Sequence, residues 1–250
     1  MSDRPVLLVT GASRGIGAAT ARLAAARGYR VCVNYHRAEE AAQALVERIR
    51  AEGGEAQAFA ADVADEAAVQ ALFAFVDRQF GPLDALVNNA GILERQMRLE
   101  NMDAARWRRV LETNVIGTFL CSREAVRRMS IRRGGKGGAI VNLSSMAARL
   151  GAPDEYVDYA ASKGAVDSLT VGLAREVAAE GIRVNALRPG LIETEIHASG
   201  GEPGRIERLK GSVPMRRGGQ PEEVAEAILW LLSPGASYTT GSLIDVAGGR

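Results

Sequence analysis

The sequence predicts a doubly wound α/β fold, one parallel sheet of seven strands with helices on both faces. Three observations lead there. Short apolar runs alternate with Ala-rich helical stretches from beginning to end. The runs are apolar throughout, the pattern of strands buried on both faces. A helical stretch lies between most consecutive strands, as a parallel pair requires, and such crossovers are right-handed.

The elements follow in order. Pro5–Thr10 reads as a strand and Gly15–Arg27 as a helix. Arg30–Tyr35 is a strand and Ala38–Glu52 a helix. Ala56–Ala61 and Asp65–Phe80 repeat the pattern. Leu83–Asn88 is a strand, followed by one long helix near Asp103–Met129. Ala139–Leu143 is a strand, followed by a helix over about Glu155–Glu180. Ile182–Leu187, a helix at Pro221–Leu232 and a last strand at Ser242–Val246 complete the set. No linker or internal repeat divides the chain, so residues 1–250 are expected to form one domain. Gly190–Gln220 is long, strandless and rich in Gly and charge. It reads as a substrate lid at about residues 190–220, with a short helix at Pro203–Lys210.

Lys plus Arg total 31 and Asp plus Glu 30, a balance that argues against nucleic acid or membrane as a partner. The locally basic run from Arg127 to Lys136 reads as a solvated helix end and loop. Cys32 and Cys121 lie far apart in apolar stretches and make no disulfide framework. His36 and His197 form no metal-ligand pattern, and no metal is expected. The opening MSDRPVLLVTGAS lacks a leader's long apolar region, and no apolar run is long enough to cross a bilayer. A cytoplasmic protein is the expectation.

The first strand-to-helix turn reads Thr10-Gly11-Ala12-Ser13-Arg14-Gly15-Ile16-Gly17. Gly11 lets the chain turn tightly, Gly15 lets backbone approach a pyrophosphate, and Gly17 permits close packing of helix on strand. The helix N-terminus offers free N–H groups and partial positive charge to phosphates. The spacing is G-x-x-x-G-x-G, one residue longer between the first two glycines than the common dinucleotide turn.

In these residues the chain resembles the short-chain dehydrogenases/reductases. The turn Thr10–Gly17 matches that family's, and Asn88-Asn89-Ala90-Gly91 matches its N-N-A-G motif. Asn114 lies in the next helix, and Ser144-Ser145 ends the fifth strand. Tyr159 and Lys163 form Y-x-x-x-K, and Pro189-Gly190 is followed by Ile192 and Thr194. The likeness covers nearly the whole chain and is nearest to 3-oxoacyl-carrier-protein reductases and glucose 1-dehydrogenases. It implies a Rossmann-type sandwich, a nicotinamide cofactor, a homotetramer and catalysis by Asn114, Ser145, Tyr159 and Lys163. It also implies cofactor contacts from Gly11, Ser13, Arg14, Gly15, Ile16, Gly17, Tyr35, His36, Arg37, Asp62 and Val63. Asn88, Ala90, Gly91, Tyr159, Lys163, Pro189, Gly190, Ile192 and Thr194 complete that set.

The chemistry of the four residues agrees. A hydride reaching a carbonyl carbon leaves an alkoxide that needs a proton, and Tyr159 can supply one. Lys163 stands four residues on, on the same helical face, where its ammonium should lower the tyrosine pKa. Ser145 can hold the substrate oxygen toward Tyr159. By resemblance, Asn114 would bind a water in a proton relay with Lys163, using an amide that both donates and accepts. Ser145 to Tyr159 is one residue longer than the family's usual spacing, which raises Ser144 and Tyr156 as rivals. Tyr156 has Ala160, not a lysine, four residues on, so Ser145 and Tyr159 are kept.

The end of the second strand bears on cofactor choice. NAD-preferring relatives usually carry Asp at about Tyr35, and none stands there. Arg37 and Arg14 suit a 2′-phosphate, so NADP(H) is expected to be preferred, with NAD(H) possible. Asp62-Val63 resembles the pair that holds the adenine ring. The substrate is expected to be a small carbonyl or alcohol. A ketoacyl thioester reductase would use a basic patch such as Arg216-Arg217 or Arg127-Arg128. A sugar or polyol dehydrogenase would use polar lining from Glu94, Arg95, Glu155, Glu193 and His197. A dinucleotide-sensing protein without catalysis is the rival from another class, and it need not carry all four catalytic-type residues.

Overall fold

The computed structural model describes residues 4–250. Residues 1–3, the start of the stretch read for a leader, lie outside the described residues. Seven strands form one parallel sheet in the order β3-β2-β1-β4-β5-β6-β7. They are β1 Val6–Val9, β2 Arg30–Tyr35, β3 Glu55–Ala60, β4 Ala85–Asn88, β5 Gly138–Leu143, β6 Ile182–Pro189 and β7 Leu243–Val246. The order reverses between β1 and β4, so the crevice for a ligand opens at their carboxyl ends.

Successive strand residues face opposite sides, and both sides of the central strands are buried. Leu7, Val9, Val31 and Val33 meet α1 (Gly15–Ala26), α2 (Glu39–Ala51) and α10 (Pro221–Leu232) in one core. Val6, Leu8 and Cys32 meet α3 (Glu66–Gln79), α5 (Gly117–Met129) and α7 (Val157–Val177) in the other. Cys32 and Cys121 are buried free thiols in that second core. Among the described residues no helix is long and apolar enough to cross a membrane.

The helix expected over Asp103–Met129 is interrupted. It forms α4 (Ala104–Leu111), a π turn at Glu112–Ile116, and α5. Two features mark the break. Asn114 turns its amide out of the helix, and Thr118 Oγ1 takes the Asn114 carbonyl at 2.8 Å. Gly117 passes so close to Val63 that a Cβ there would lie 2.7 Å from Val63 Cγ2. The segment expected as a lid is folded: α8 is Ile196–Ser199 and α9 is Arg205–Leu209, inside the expected Pro203–Lys210. A short α6 (Ala147–Leu150) precedes α7.

Candidate active site

The glycine turn is built around missing side chains. Gly11 and Gly15 have φ of 58° and 56°, in the left-handed region that favours glycine. A Cβ on Gly17 would lie 2.5 Å from Asn89 Nδ2 and 2.9 Å from Ala12 Cα, so Gly17 admits Asn89 and the turn itself. Asn89 in return donates to the Thr10 and Gly11 carbonyls, both at 2.9 Å. Thr10 Oγ1 accepts from the Asn89 and Ala90 N–H groups at 3.0 Å. Helix α1 has no side-chain cap and no acidic residue in its first turn, leaving its N-terminus open to an anion. Glycines where a Cβ would collide, beside an uncapped N-terminus, fit a dinucleotide pyrophosphate.

Asn88 does not join this cradle. It ends β4 with its side chain buried, donating to Ser122 Oγ and Asn142 Oδ1 at 2.9 and 2.8 Å. Strand alternation sends Asn88 inward and leaves Asn89, at the strand's end, to face the cleft. Asn89 is thus the asparagine of the motif that braces the glycine turn and lines the cleft, a position the sequence reading left out of its site residues.

At the adenosine end, Tyr35 is buried against the α2 side of the core, and burial, then Glu39, push its hydroxyl up. His36 and Arg37 are exposed, as is Arg14. His36 Nε2 lies 3.7 Å from Asp62 Oδ2, and Asp62 Oδ1 accepts from Ala64 N–H at 3.0 Å. Val63 is buried against Gly117. Ser13 is half-buried in the turn. Across the cleft, Thr194 Cγ2 lies 3.2 Å from where a Gly15 Cβ would stand, so the start of the 190–220 segment lies over the glycine turn. Ile192 is buried and bridges to Gly219 at the far end of that segment, and Gly190 donates to the Val246 carbonyl at 3.0 Å.

A cleft of about 330 Å³ adjoins this surface, and Ile16, Asn89, Gly91, Ser145, Tyr159, Lys163, Pro189, Gly190, Ile192 and Thr194 line it together. Tyr159 and Lys163 project from α7, Ser145 from the end of β5. Burial pushes the Tyr159 phenol up, and a hydrogen bond with Ser145 acts in the lowering sense. The expected lowering by Lys163 is not seen. Its Nζ sits 5.6 Å from the ring centroid and donates to the Leu143 carbonyl at 2.6 Å. Burial lowers Lys163 itself to about 8, against the raising effect of Asp167. Ser144 is buried, donating to the Lys163 carbonyl at 3.1 Å, which separates it from Ser145. Tyr156 packs edge-on against Tyr159 with centroids 5.7 Å apart.

Asn114 lies beside Lys163 but its amide is committed. Oδ1 accepts from Ile92 N–H at 2.8 Å, while Nδ2 donates to the Ile92 carbonyl and Ser162 Oγ, each at 2.9 Å. The expected water-binding amide is instead a clamp between the Gly91 segment and α7. The Asn114 backbone carbonyl, inside the π turn, accepts from Thr118 Oγ1 at 2.8 Å.

The outer wall is largely apolar, with Leu93, Met146, Leu150, Ala152, Pro153 and Ile196. Of the polar candidates, Glu155 and His197 reach it. Glu155 is held by Arg205 at 2.6 and 2.7 Å, and Arg205 lies 5.1 Å from the Tyr156 ring centroid. His197 Nε2 bonds the Ile192 carbonyl at 2.9 Å, and burial lowers its pKa. Glu94 pairs with Arg109 at the surface, and the Arg95 carbonyl accepts from Arg106. Glu193 is exposed. Arg127 and Arg128 close α5, which runs back to the strands' amino ends, and pair with Glu124. They stand at the opposite edge of the sheet from the cleft, because crossover helices run antiparallel to the strands they join.

Comparison with known proteins agrees with this geometry. A family model described as enoyl-(acyl carrier protein) reductase matches residues 11–250. The chain is 62% identical over 245 residues to an uncharacterized oxidoreductase, YgfF, of Escherichia coli, covering 98% of this chain and 99% of that one. It is 42% identical to the 3-oxoacyl-[acyl-carrier-protein] reductase FabG of Staphylococcus aureus, covering 97% and 96%. A solved short-chain type dehydrogenase/reductase from Mycobacterium marinum superposes with a TM-score of 0.92 at 34% identity, covering 98% and 94%. The chain belongs to the short-chain dehydrogenase/reductase family. It is an oxidoreductase of that family, whose cofactor is a nicotinamide dinucleotide.

Proposed function

We propose that this protein transfers a hydride between NADP(H) and a carbonyl or secondary alcohol, with Tyr159 as the general acid and base. One observation carries the reading: Ser145, Tyr159 and Lys163 line one cleft with the glycine cradle's Ile16 and Asn89. A bound nicotinamide supplies or accepts the hydride. Ser145 holds the substrate oxygen by a hydrogen bond. Tyr159 gives that oxygen a proton during reduction and removes it during oxidation. Lys163, charged and buried beside the ring, relays the proton that Tyr159 gives up or takes, while the Ser145 hydrogen bond acts in the sense that favours the tyrosinate. The apolar wall and Thr194 over Gly15 keep bulk water from the reacting atoms.

NADP(H) preference is supported by the exposed Arg14 and Arg37, neither of which makes an ion pair among the described residues. The wall favours an apolar or cyclic carbonyl compound over a sugar, since Glu155 is already held by Arg205. Arg217 lines a second cleft beside the first and pairs with Glu223, so a carrier-protein patch there would have to compete with that pair. A homotetramer is supported by exposed Ile116 and Phe119 on one side and Trp230 and Tyr238 on another. Residues 190–220 act as the lid, tied shut by Arg205 on Glu155.

The test is a screen of NADPH oxidation over cyclic ketones, diketones, ketoacyl thioesters and aldoses. Turnover of cyclic or diketone substrates above aldoses supports the reading. No NADPH oxidation with any of them, beside measurable NADPH binding, would favour a sensing role.

A further inference from the structure

A buried ammonium is costly unless something opposes the burial. Lys163 is 4% exposed and makes one hydrogen bond, to Leu143. The Leu143 carbonyl faces it from β5, Gly91 from the segment after β4 and Asn114 from the π turn, all uncharged. Its own helix contributes Tyr159 and, one turn on, Asp167.

Asp167 is itself buried, at 8% exposure. Its Oδ2 accepts from Arg188 Nε and Nη2 at 2.9 and 2.8 Å. Arg188 stands on β6 and reaches Asp245 of β7 at 3.6 Å, and Asp245 is held by Arg149 of α6 at 2.5 Å. The other oxygen, Oδ1, is buried with no hydrogen-bond partner among the described residues. A carboxylate that served only to tie β6 to α7 would place both oxygens on the guanidinium, the favoured two-bond geometry. Here both N–H groups share one oxygen, and the second is left inside the protein a turn from Lys163.

We propose that Asp167 is a positioning residue for the reaction: its carboxylate, gripped by Arg188 through one oxygen, holds the Lys163 ammonium in its charged form beneath Tyr159. The inference rests on the Tyr159–Lys163 reading above. Burial brings Lys163 down to about 8, and Asp167 acts in the opposite sense. A unit charge one helical turn away, at an effective dielectric of about 20, moves a pKa by roughly one unit. Lys163 is therefore charged below about pH 8 and loses its proton above it. Asp167→Asn removes the negative charge and leaves the positive Arg188, so the Lys163 pKa falls.

The chain has three lysines, Lys136, Lys163 and Lys210, so carbon-13 labelling of lysine gives three side-chain signals to titrate. Lys136→Arg and Lys210→Arg assign them. In Asp167→Asn the Lys163 midpoint is expected about one unit lower. The alkaline limb of kcat/KM should move with it, leaving activity at pH 6 nearly unchanged and lowering it about fivefold at pH 8. Asp167→Glu keeps the charge and should restore both to within a few tenths of a unit. An unmoved Lys163 titration, with only a lower melting temperature, overturns the proposal and makes Asp167 a strand tie. A fall of about one unit in the Lys163 midpoint of Asp167→Glu, measured against the parent protein, overturns it too, even if the Asn variant proves too unstable to titrate. A shifted Lys163 with an unmoved rate limb sinks the Tyr159–Lys163 reading and leaves the electrostatic link standing.

Discussion

At the β1–α1 end of the cleft the binding surface is made by leaving side chains out. At the β5–α7 end it is made by burying polar ones. Gly11, Gly15 and Gly17 stand where a Cβ would meet Ala90, Thr194 and Asn89. The surface they form is backbone, and its charged neighbours Arg14 and Arg37 are exposed. Around Tyr159 the neighbours are Lys163, Asn114, Ser162 and Asp158, all buried. A backbone surface suits the constant part of a ligand, a pyrophosphate, which needs N–H groups and no discrimination. Proton transfer needs a controlled local field, and only a dry site lets single charges set it. Changes at the buried end should therefore be severe, and changes at the exposed rim graded.

The largest effect should come from the ion pair under α7. Arg106 and Asp158 are 4% and 0% exposed in their side chains, with Nε to Oδ2 at 2.6 Å and Nη2 to Oδ1 at 3.2 Å. Arg106 also donates to the Arg95 carbonyl at 2.6 Å, tying α4 to α7 next to Tyr159. Arg106→Met leaves a buried carboxylate unpaired, which costs about 3–5 kcal/mol. A fall in melting temperature on the order of 10 °C is expected. The double change Arg106→Met with Asp158→Leu should recover most of it, since an apolar pair can replace a buried ion pair. A single variant melting within a degree or two of the parent would show the buried end to be less strict than the comparison holds.

Next comes Tyr159→Phe. It keeps the ring against Tyr156 and removes the hydroxyl bonded to Ser145. Turnover should fall by at least about a hundredfold, the lower end for general acid catalysis. Dinucleotide affinity, set at the glycine end, should stay nearly unchanged. Equal losses in turnover and cofactor affinity would break the division between the two ends.

The rim should respond more gently. Arg14→Ala with Arg37→Ala removes two exposed cations and no buried contact. A charge-assisted bond contributes about 1.5–3 kcal/mol, less where solvent screens it. The NADPH Michaelis constant should rise roughly tenfold, with the NADH constant little changed. Salt should weaken NADPH use selectively. Equal use of NADH and NADPH by the parent protein would remove the phosphate from this rim. Glu39, which acts on the Tyr35 hydroxyl nearby, would then be the group to examine.

How much of this was legible in the sequence follows the same division. Periodicity located all seven strands, because the central ones are continuous apolar runs and each strand is set off from the next by helical stretches. The glycine turn was legible because a φ near 60° leaves few alternatives to glycine. The π turn was not, since nothing in the composition of Asp103–Met129 marks five residues that bond out of register. Asn88 and Asn89 were interchangeable on paper, as their separation depends on the residue at which β4 ends. The Tyr159 environment was misjudged because a spacing of four says that Lys163 is near but not that its Nζ turns to Leu143. Charge networks such as Arg205 on Glu155 join residues fifty apart, and no local pattern reveals them.

The smallest expected effect decides the register left open by the long Ser145–Tyr159 spacing. The loop between them absorbs the extra residue locally: Gly151, Ala152 and Asp154 have φ of 76°, 47° and 60°, so three of four successive residues take the left-handed conformation. Two of these are not glycine and carry the strain of the turn. The turn brings Tyr156 to the mouth of α7, edge-on to Tyr159 and under Arg205. Burial raises its hydroxyl, Arg205 opposes this, and Glu155 adds to it, so at neutral pH Tyr156 is a packed, protonated wall. Tyr156→Phe keeps the ring, its edge-on contact and its place below the guanidinium. Turnover should change by less than about threefold, consistent with the loss of a single weak hydrogen bond. A loss as large as that of Tyr159→Phe would shift the proton donor to Tyr156. Tyr159 would then be the wall, and Lys163 would stand seven residues from the phenol it serves, two helical turns and not one.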